Sequence, residues 1–244
     1  MMSSSLLAIA AVFVLAGTVK GITGMGLPTV AVSLLGLWMP PAAAAALLVL
    51  PSLATNVGQS LGPALRPLVR RLWPAWGALV LATLWVPELP ASGSGASPAH
   101  AALGAVLVAY GAWGLWRPGL PDLSRRSRWL GIAVGLVTGV VTGTTAVFVI
   151  PFVPYLQSLR LGRDELVQAL GLSFTVATLA LALRLQGGAH PIQLTGEAIV
   201  ALLSAFVGMA LGTRVRNRIG AATFQRGLFA MFVMLGFANL GRAL

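Results

Sequence analysis

The chain alternates long apolar stretches with short polar breaks from one end to the other. Eight hydrophobic segments are legible, at 3–34, 41–65, 72–89, 98–116, 129–159, 165–185, 192–212 and 224–240. Six of them fall within the roughly 17 to 25 residues that a helix needs to cross a hydrocarbon core. The first and fifth are longer, about 30 residues each, and both are interrupted near the middle. Nothing resembles the alternation in strands of about ten residues that marks a membrane β-barrel. The pattern predicts an all-α polytopic membrane protein.

The two interruptions share a character. In the first long segment Gly17, Thr18, Lys20, Gly21, Thr23, Gly24, Gly26 and Pro28 stand inside an apolar run. In the fifth, Gly135, Thr138, Gly139, Thr142, Gly143, Thr144, Thr145 and Pro151 occupy the corresponding stretch. Interrupted hydrophobic segments at matching positions of two halves are the sequence sign of a transporter with its binding site near the bilayer midplane. The expected organisation is two homologous halves, 1–122 and 123–244. Each consists of a broken or re-entrant helical hairpin followed by three transmembrane helices.

Charge fixes the orientation of those halves. Lys and Arg number 16 against 5 Asp and Glu, a net charge of +11. In a soluble domain that balance would point to nucleic acid. Here 57% of residues are hydrophobic and 9% charged, against roughly 25% charged in soluble domains. The lipid bilayer is therefore the expected partner, and nucleic acid is not. Three arginine groups ask to be cytoplasmic under the positive-inside rule: Arg66, Arg70 and Arg71; Arg117, Arg125, Arg126 and Arg128; and Arg214, Arg216 and Arg218. Between the second and third groups lie segments five to seven. All three groups share one side only if one of those segments enters and leaves on the same face, and the broken fifth is the candidate. Applied to both halves, this gives one re-entrant hairpin plus three crossings per half, so that the second half is inverted relative to the first. Eight ordinary crossings in a parallel duplication, with long tilted first and fifth helices, remain the alternative.

The breaks also suggest chemistry. Interrupting a helix in a membrane leaves backbone groups unpaired, which is tolerated only where they face protein or a polar cavity. A half-helix starting at Thr23 or Thr142 would aim N–H groups and a positive dipole end at the break, favouring an anion. Lys20, the sole lysine of the chain, adds a full charge deep in an apolar segment, where charge usually marks a pathway or ligand site. The expected binding residues are Lys20, Thr23, Gly24, Gly26, Asn56, Gln59, Thr142, Gly143, Thr144, Thr145, Ser173 and Thr178. Ser52, Thr55, Asn56 and Gln59 follow Pro51 at spacings that share one helical face. Helix packing is the competing reading for Gly17, Gly21, Gly135 and Gly139, snorkelling for Lys20 and Arg184, and interhelical hydrogen bonding for the hydroxyls and amides.

Absences narrow the function further. No cysteine is present, which excludes disulfides, thiolate metal sites and thiol catalysis. All five acids, Glu88, Asp122, Asp164, Glu165 and Glu197, and both histidines, His100 and His190, lie at segment ends or in loops. That leaves no buried acid as a proton relay and no nucleophile–base pair for an intramembrane enzyme. No ATP-binding loop occurs, and no cofactor is expected. An outward-moving anion needs none of these, because each exported negative charge gains about 2.3 kcal/mol per 100 mV of interior-negative potential. Residues 1–5 lack a basic signal-peptide region, so the first segment is expected to stay in the mature protein.

The pattern Gly17-x-x-x-Gly21-x-x-Gly24-x-Gly26-x-Pro28, with its weaker copy ending at Pro151, resembles the TauE/SafE group of sulfite and organosulfonate exporters over nearly the whole chain. The second copy differs in having Gly143-Thr144-Thr145 where the first has Gly24-Met25-Gly26, and no lysine answers Lys20. The resemblance implies a multi-pass carrier of the bacterial inner membrane for small anions such as sulfite, sulfoacetate or related organic acids. The expected function is a secondary transporter exporting a small anionic substrate. A channel-like or structural membrane component without alternating access is the alternative, and self-association into a homo-oligomer is left open.

Overall fold

The computed structural model describes residues 2–87, 97–116, 119–123, 128–188, 192–216 and 221–243. Arg117, Arg125, Arg126 and Arg218, used above to orient the chain, lie outside them, as do Glu88 and His190. Every regular element among the described residues is a helix.

The first long segment divides into α1 (Met2–Thr23) and α2 (Leu27–Leu35). Gly24 and Gly26 turn the chain between them with φ of 78° and 97°, a left-handed conformation that costs glycine nothing. Pro28 then sits in the first turn of α2, where a missing N–H does no harm. Three long helices follow, α3 (Pro41–Ser60), α4 (Leu65–Trp85) and α5 (Pro98–Trp116). The fifth segment divides into α6 (Arg128–Thr145) and α7 (Phe152–Ser158), and α8 (Arg163–Gln186), α9 (Gly196–Val215) and α10 (Ala221–Gly241) complete the chain. Among the described residues, five helices are long and apolar enough to cross a membrane: α1 over Ser4–Thr23, α3, α5, α8 and α9.

Two details correct the sequence reading. The break in the second half does not fall at Gly143, which lies inside α6; the helix ends at Thr145 and the chain departs through Ala146 at φ 57°. The third segment starts earlier than its apolar residues suggest, because α4 takes Arg66, Arg70 and Arg71 into its opening turns. The short connection before it is held by Gln168 of α8. That side chain accepts a hydrogen bond from the Ala64 N–H at 3.1 Å and donates to the carbonyls of Ser60 at 3.1 Å and Gly62 at 3.0 Å.

The most extensive helix pairings are α1 with α9, α4 with α6, α5 with α10 and α3 with α8, each joining one half of the chain to the other. Glycine permits the first three. A methyl on Gly17 or Gly21 would land on the carbonyl oxygen of Ala205 or Met209, and Gly208 and Gly212 receive the backbone of Val14 and Thr18 in return. Contacts that advance together along both helices make α1 and α9 parallel. Gly135, Gly139 and Gly143 step in the same way along Ala75, Leu79 and Thr83 of α4. Gly104 and Gly111 meet Gly236 and Phe229, so α5 and α10 run antiparallel. The four-residue glycine spacing thus serves close helix approach.

The bundle has two distinguishable ends. At one, His100 Nε2 lies 3.1 Å from the Gly36 carbonyl just past α2, and the Ser97 N–H donates to Ala243 beyond α10. At the other, Arg160 donates to the Leu120 carbonyl and the Leu123 N–H donates to Ser158 at the end of α7. The α1–α2 pair doubles back to the His100 end, whereas α6–α7 doubles back to the Arg160 end.

Candidate functional site

Lys20 is 2% exposed, one turn before α1 ends. Its ammonium donates to Thr55 Oγ1 at 3.0 Å and to Asn56 Oδ1, both on α3. Asn56 Nδ2 reaches Ser52 Oγ at 3.4 Å, and Ser52 Oγ lies 3.0 Å from Thr178 Oγ1 on α8. The single Thr178 proton goes to the Phe174 carbonyl at 2.6 Å, so Ser52 is the donor to Thr178. A hydrogen-bonded line thus runs from α1 through α3 to α8, and every side chain in it is buried. Its partners are neutral throughout. The described acids Asp122, Asp164, Glu165 and Glu197 are all exposed, so no carboxylate among the described residues offsets the charge of Lys20. Buried cations are ordinarily paired, because removing one from water is costly.

The first break lies beside this line. Gln59 Nε2 donates to the Gly24 carbonyl at 2.8 Å. Thr23 Oγ1 accepts the Met25 N–H at 3.2 Å and lies 2.8 Å from the Val19 carbonyl. Buried Gln59 Oε1 and Thr29 Oγ1 have no hydrogen-bond partner. Thr23 therefore closes a helix and does not open one. The N–H-rich end at this break belongs to α2, whose N-cap, Gly26, offers no side chain to satisfy it.

The second break is different in kind. Thr142, Thr144 and Thr145 donate to carbonyls of their own helix, at Thr138, Val140 and Val141, and Thr145 Oγ1 also accepts the Val147 N–H at 3.2 Å. Gly143 is packed against Val86 and Thr83. Beyond them Ala146, Val147, Phe148 and Val149 are buried, with the Phe148 ring 5.3 Å from that of Phe174. Ser173 faces α4, accepting from Trp76 Nε1 at 3.0 Å. Of the expected binding residues, the fold joins Lys20, Asn56 and Thr178 in one network and sets Gln59 against Gly24. Thr142, Thr144, Thr145 and Ser173 bond elsewhere, and Gly143 packs against α4. Arg184 caps α4 by donating to the carbonyls of Thr83 at 2.9 Å and Val86 at 2.6 Å, a bond to a helix end that a cation suits.

A cavity of about 230 Å³ opens against the first break, where Thr23 and Gly26 line it together with Gln157 of α7, Gln225 of α10 and aromatic side chains of α5 and α10. Sequence reasoning missed Gln157 and Gln225. A glutamine within the short apolar stretch 152–158 was the available signal for the first. Among the described residues no group of His, Asp or Glu could hold a metal ion.

Comparison with protein-family models matches residues 9–239 to the sulfite exporter TauE/SafE model. No curated protein and no solved structure matches the sequence.

Proposed function

This chain belongs to the sulfite exporter TauE/SafE family, and we propose from that premise that it is a secondary transporter exporting a small anion, sulfite, an organosulfonate or a related organic acid. The family is one of membrane transporters, and the chain is a multi-pass membrane protein with several long apolar helices. The observation that carries the reading is Lys20, a buried cation held by a hydroxyl and an amide oxygen with no carboxylate beside it among the described residues. An anion arriving at the first break supplies the missing counter-charge, and the uncapped start of α2 adds N–H donors of the right polarity.

The site lies between halves 1–122 and 123–244 related as inverted repeats. Exchanging α1 with α6, α3 with α8, α4 with α9 and α5 with α10 maps the main helix pairings onto themselves, and the two hairpins double back to opposite ends. Arg66, Arg70, Arg71, Arg128, Arg160, Arg163, Arg214 and Arg216 gather at the Arg160 end, which is the cytoplasmic face of a bacterial inner membrane under the positive-inside rule. The cavity at the first break then opens toward the cytoplasm, the side from which an exporter loads. The buried, apolar second break at Val147, Phe148 and Val149 favours a carrier over a continuously open pore, and counterflow with saturable kinetics separates the two.

The decisive experiment is sulfite and sulfonate flux in proteoliposomes holding wild type, Lys20→Met or Lys20→Arg. Loss of flux in the methionine variant with partial retention in the arginine variant is expected. Unchanged flux in Lys20→Met removes Lys20 from the site.

A further inference from the structure

We infer that the outward face of α4 holds an anionic phospholipid, phosphatidylglycerol, with its phosphate on Arg66 and Arg70. The site goes beyond the transport reading and involves neither Lys20 nor the breaks. α4 turns Ala75, Leu79 and Thr83 inward to the glycines of α6. Arg66, Arg70, Trp73, Gly77, Leu81 and Leu84 recur at intervals of three and four on the opposite side, and all are exposed. The arginines are placed against the electrostatics of their own helix. Arg66, Arg70 and Arg71 fall in the first two turns of α4, where the macrodipole is positive and cations are disfavoured. Arg66 and Arg70 also form an i, i+4 pair of like charge, which weakens a helix further, and α4 contains no Asp or Glu to offset them. Arg214 and Arg216 show the ordinary arrangement, closing α9 at the end where a cation is favoured. A bound anion removes the misfit at α4.

A free oxyanion would satisfy the arginines alone, and the rest of the stripe asks for a lipid. Trp73 is 59% exposed about one turn beyond Arg70, and tryptophan at such a position marks the membrane–water interface. Deeper along the helix, a Cβ on Gly77 would meet nothing within 4 Å, so the stripe is notched between Trp73 and Leu81. Gly77 lies about 16 Å along the axis from Arg66, within reach of an acyl chain whose phosphate rests on the arginines. The head group has a further partner. Pro74 inside α4 leaves the Arg70 carbonyl without its helical donor, and a glycerol hydroxyl can supply one. Phosphatidylglycerol carries hydroxyl donors, one phosphate charge and acyl chains in that order, whereas the phosphatidylcholine head carries a cation and no donor.

The test titrates the delipidated full chain in neutral detergent with phosphatidylglycerol or phosphatidylcholine of the same acyl chains. Bound lipid is read by native mass spectrometry and stability by thermal unfolding. Wild type is expected to prefer phosphatidylglycerol by at least about tenfold, the effect of two arginines near a lipid phosphate. Arg66→Ala/Arg70→Ala should erase that preference, yet without lipid it should unfold at or above the wild-type temperature, because the misplaced charge is gone. Arg214→Ala/Arg216→Ala removes the same charge from the C-terminal end of α9 and should keep the preference. Gly77→Leu fills the notch, where nothing obstructs the new side chain, and should weaken phosphatidylglycerol binding with both arginines in place. Equal loss in the two arginine double variants, phosphatidylcholine bound as tightly as phosphatidylglycerol, or wild-type binding by Gly77→Leu each overturns the inference.

Discussion

Lys20 places two of its three ammonium protons on neutral oxygens and has no counter-charge among the described residues, and that difference separates a structural lysine from a binding one. Asn56→Asp tests it without emptying the site. The new carboxylate would sit where the Asn56 amide now meets the ammonium, forming an ion pair in a dry interior while repelling any incoming anion. Folding is expected to survive, with a thermal midpoint in detergent at or above that of wild type. Anion flux is expected to fall at least about tenfold, corresponding to about 1.4 kcal/mol or more of lost binding. If Lys20 were only an interhelical brace, the same variant would keep its flux. The lysine was legible in the sequence because one charge in a long apolar run is conspicuous. Its partners were legible only as a face of α3, since the bond through Ser52 to Thr178 depends on how α3 crosses α8.

At the scale of elements, the two breaks show why glycine patterns are ambiguous. Gly26 turns the chain at φ 97°, and a Cβ there would also meet Val19 Cγ1 at 3.2 Å. Gly26→Ala should therefore cost about 1–2 kcal/mol from the left-handed backbone alone. Gly227→Ala, inside α10 with open space around it, should gain up to about 1 kcal/mol of helix propensity. Denaturation midpoints of the two variants should move in opposite directions. Gly143 carried the same signal in the sequence but serves the contact of α6 with α4, and the true second break runs through Ala146, Val147, Phe148 and Val149, apolar residues that no polarity pattern marks. The cavity was equally illegible. Its wall comes from α5 and α10 and its polar lining from the first break, α7 and α10, elements that converge only in the folded bundle.

For the molecule as a whole, the opposed hairpins and the collected arginines make a prediction about sidedness. The chain contains no cysteine, so an introduced one reports without background. A cysteine replacing Arg216 should react with an impermeant maleimide only from the cytoplasmic side, and one replacing Glu197 only from the outside. Labelling of the Arg216 position from outside would overturn the inverted arrangement. The cross-half pairing of α1 with α9 carries a consequence for biosynthesis. Seven described helices separate the two, so during translation the glycine face of α1 emerges long before the surface that covers it. A ribosome stalled ahead of α9 would leave the glycine face of α1 uncovered, an intermediate suited to capture by insertion chaperones or to degradation.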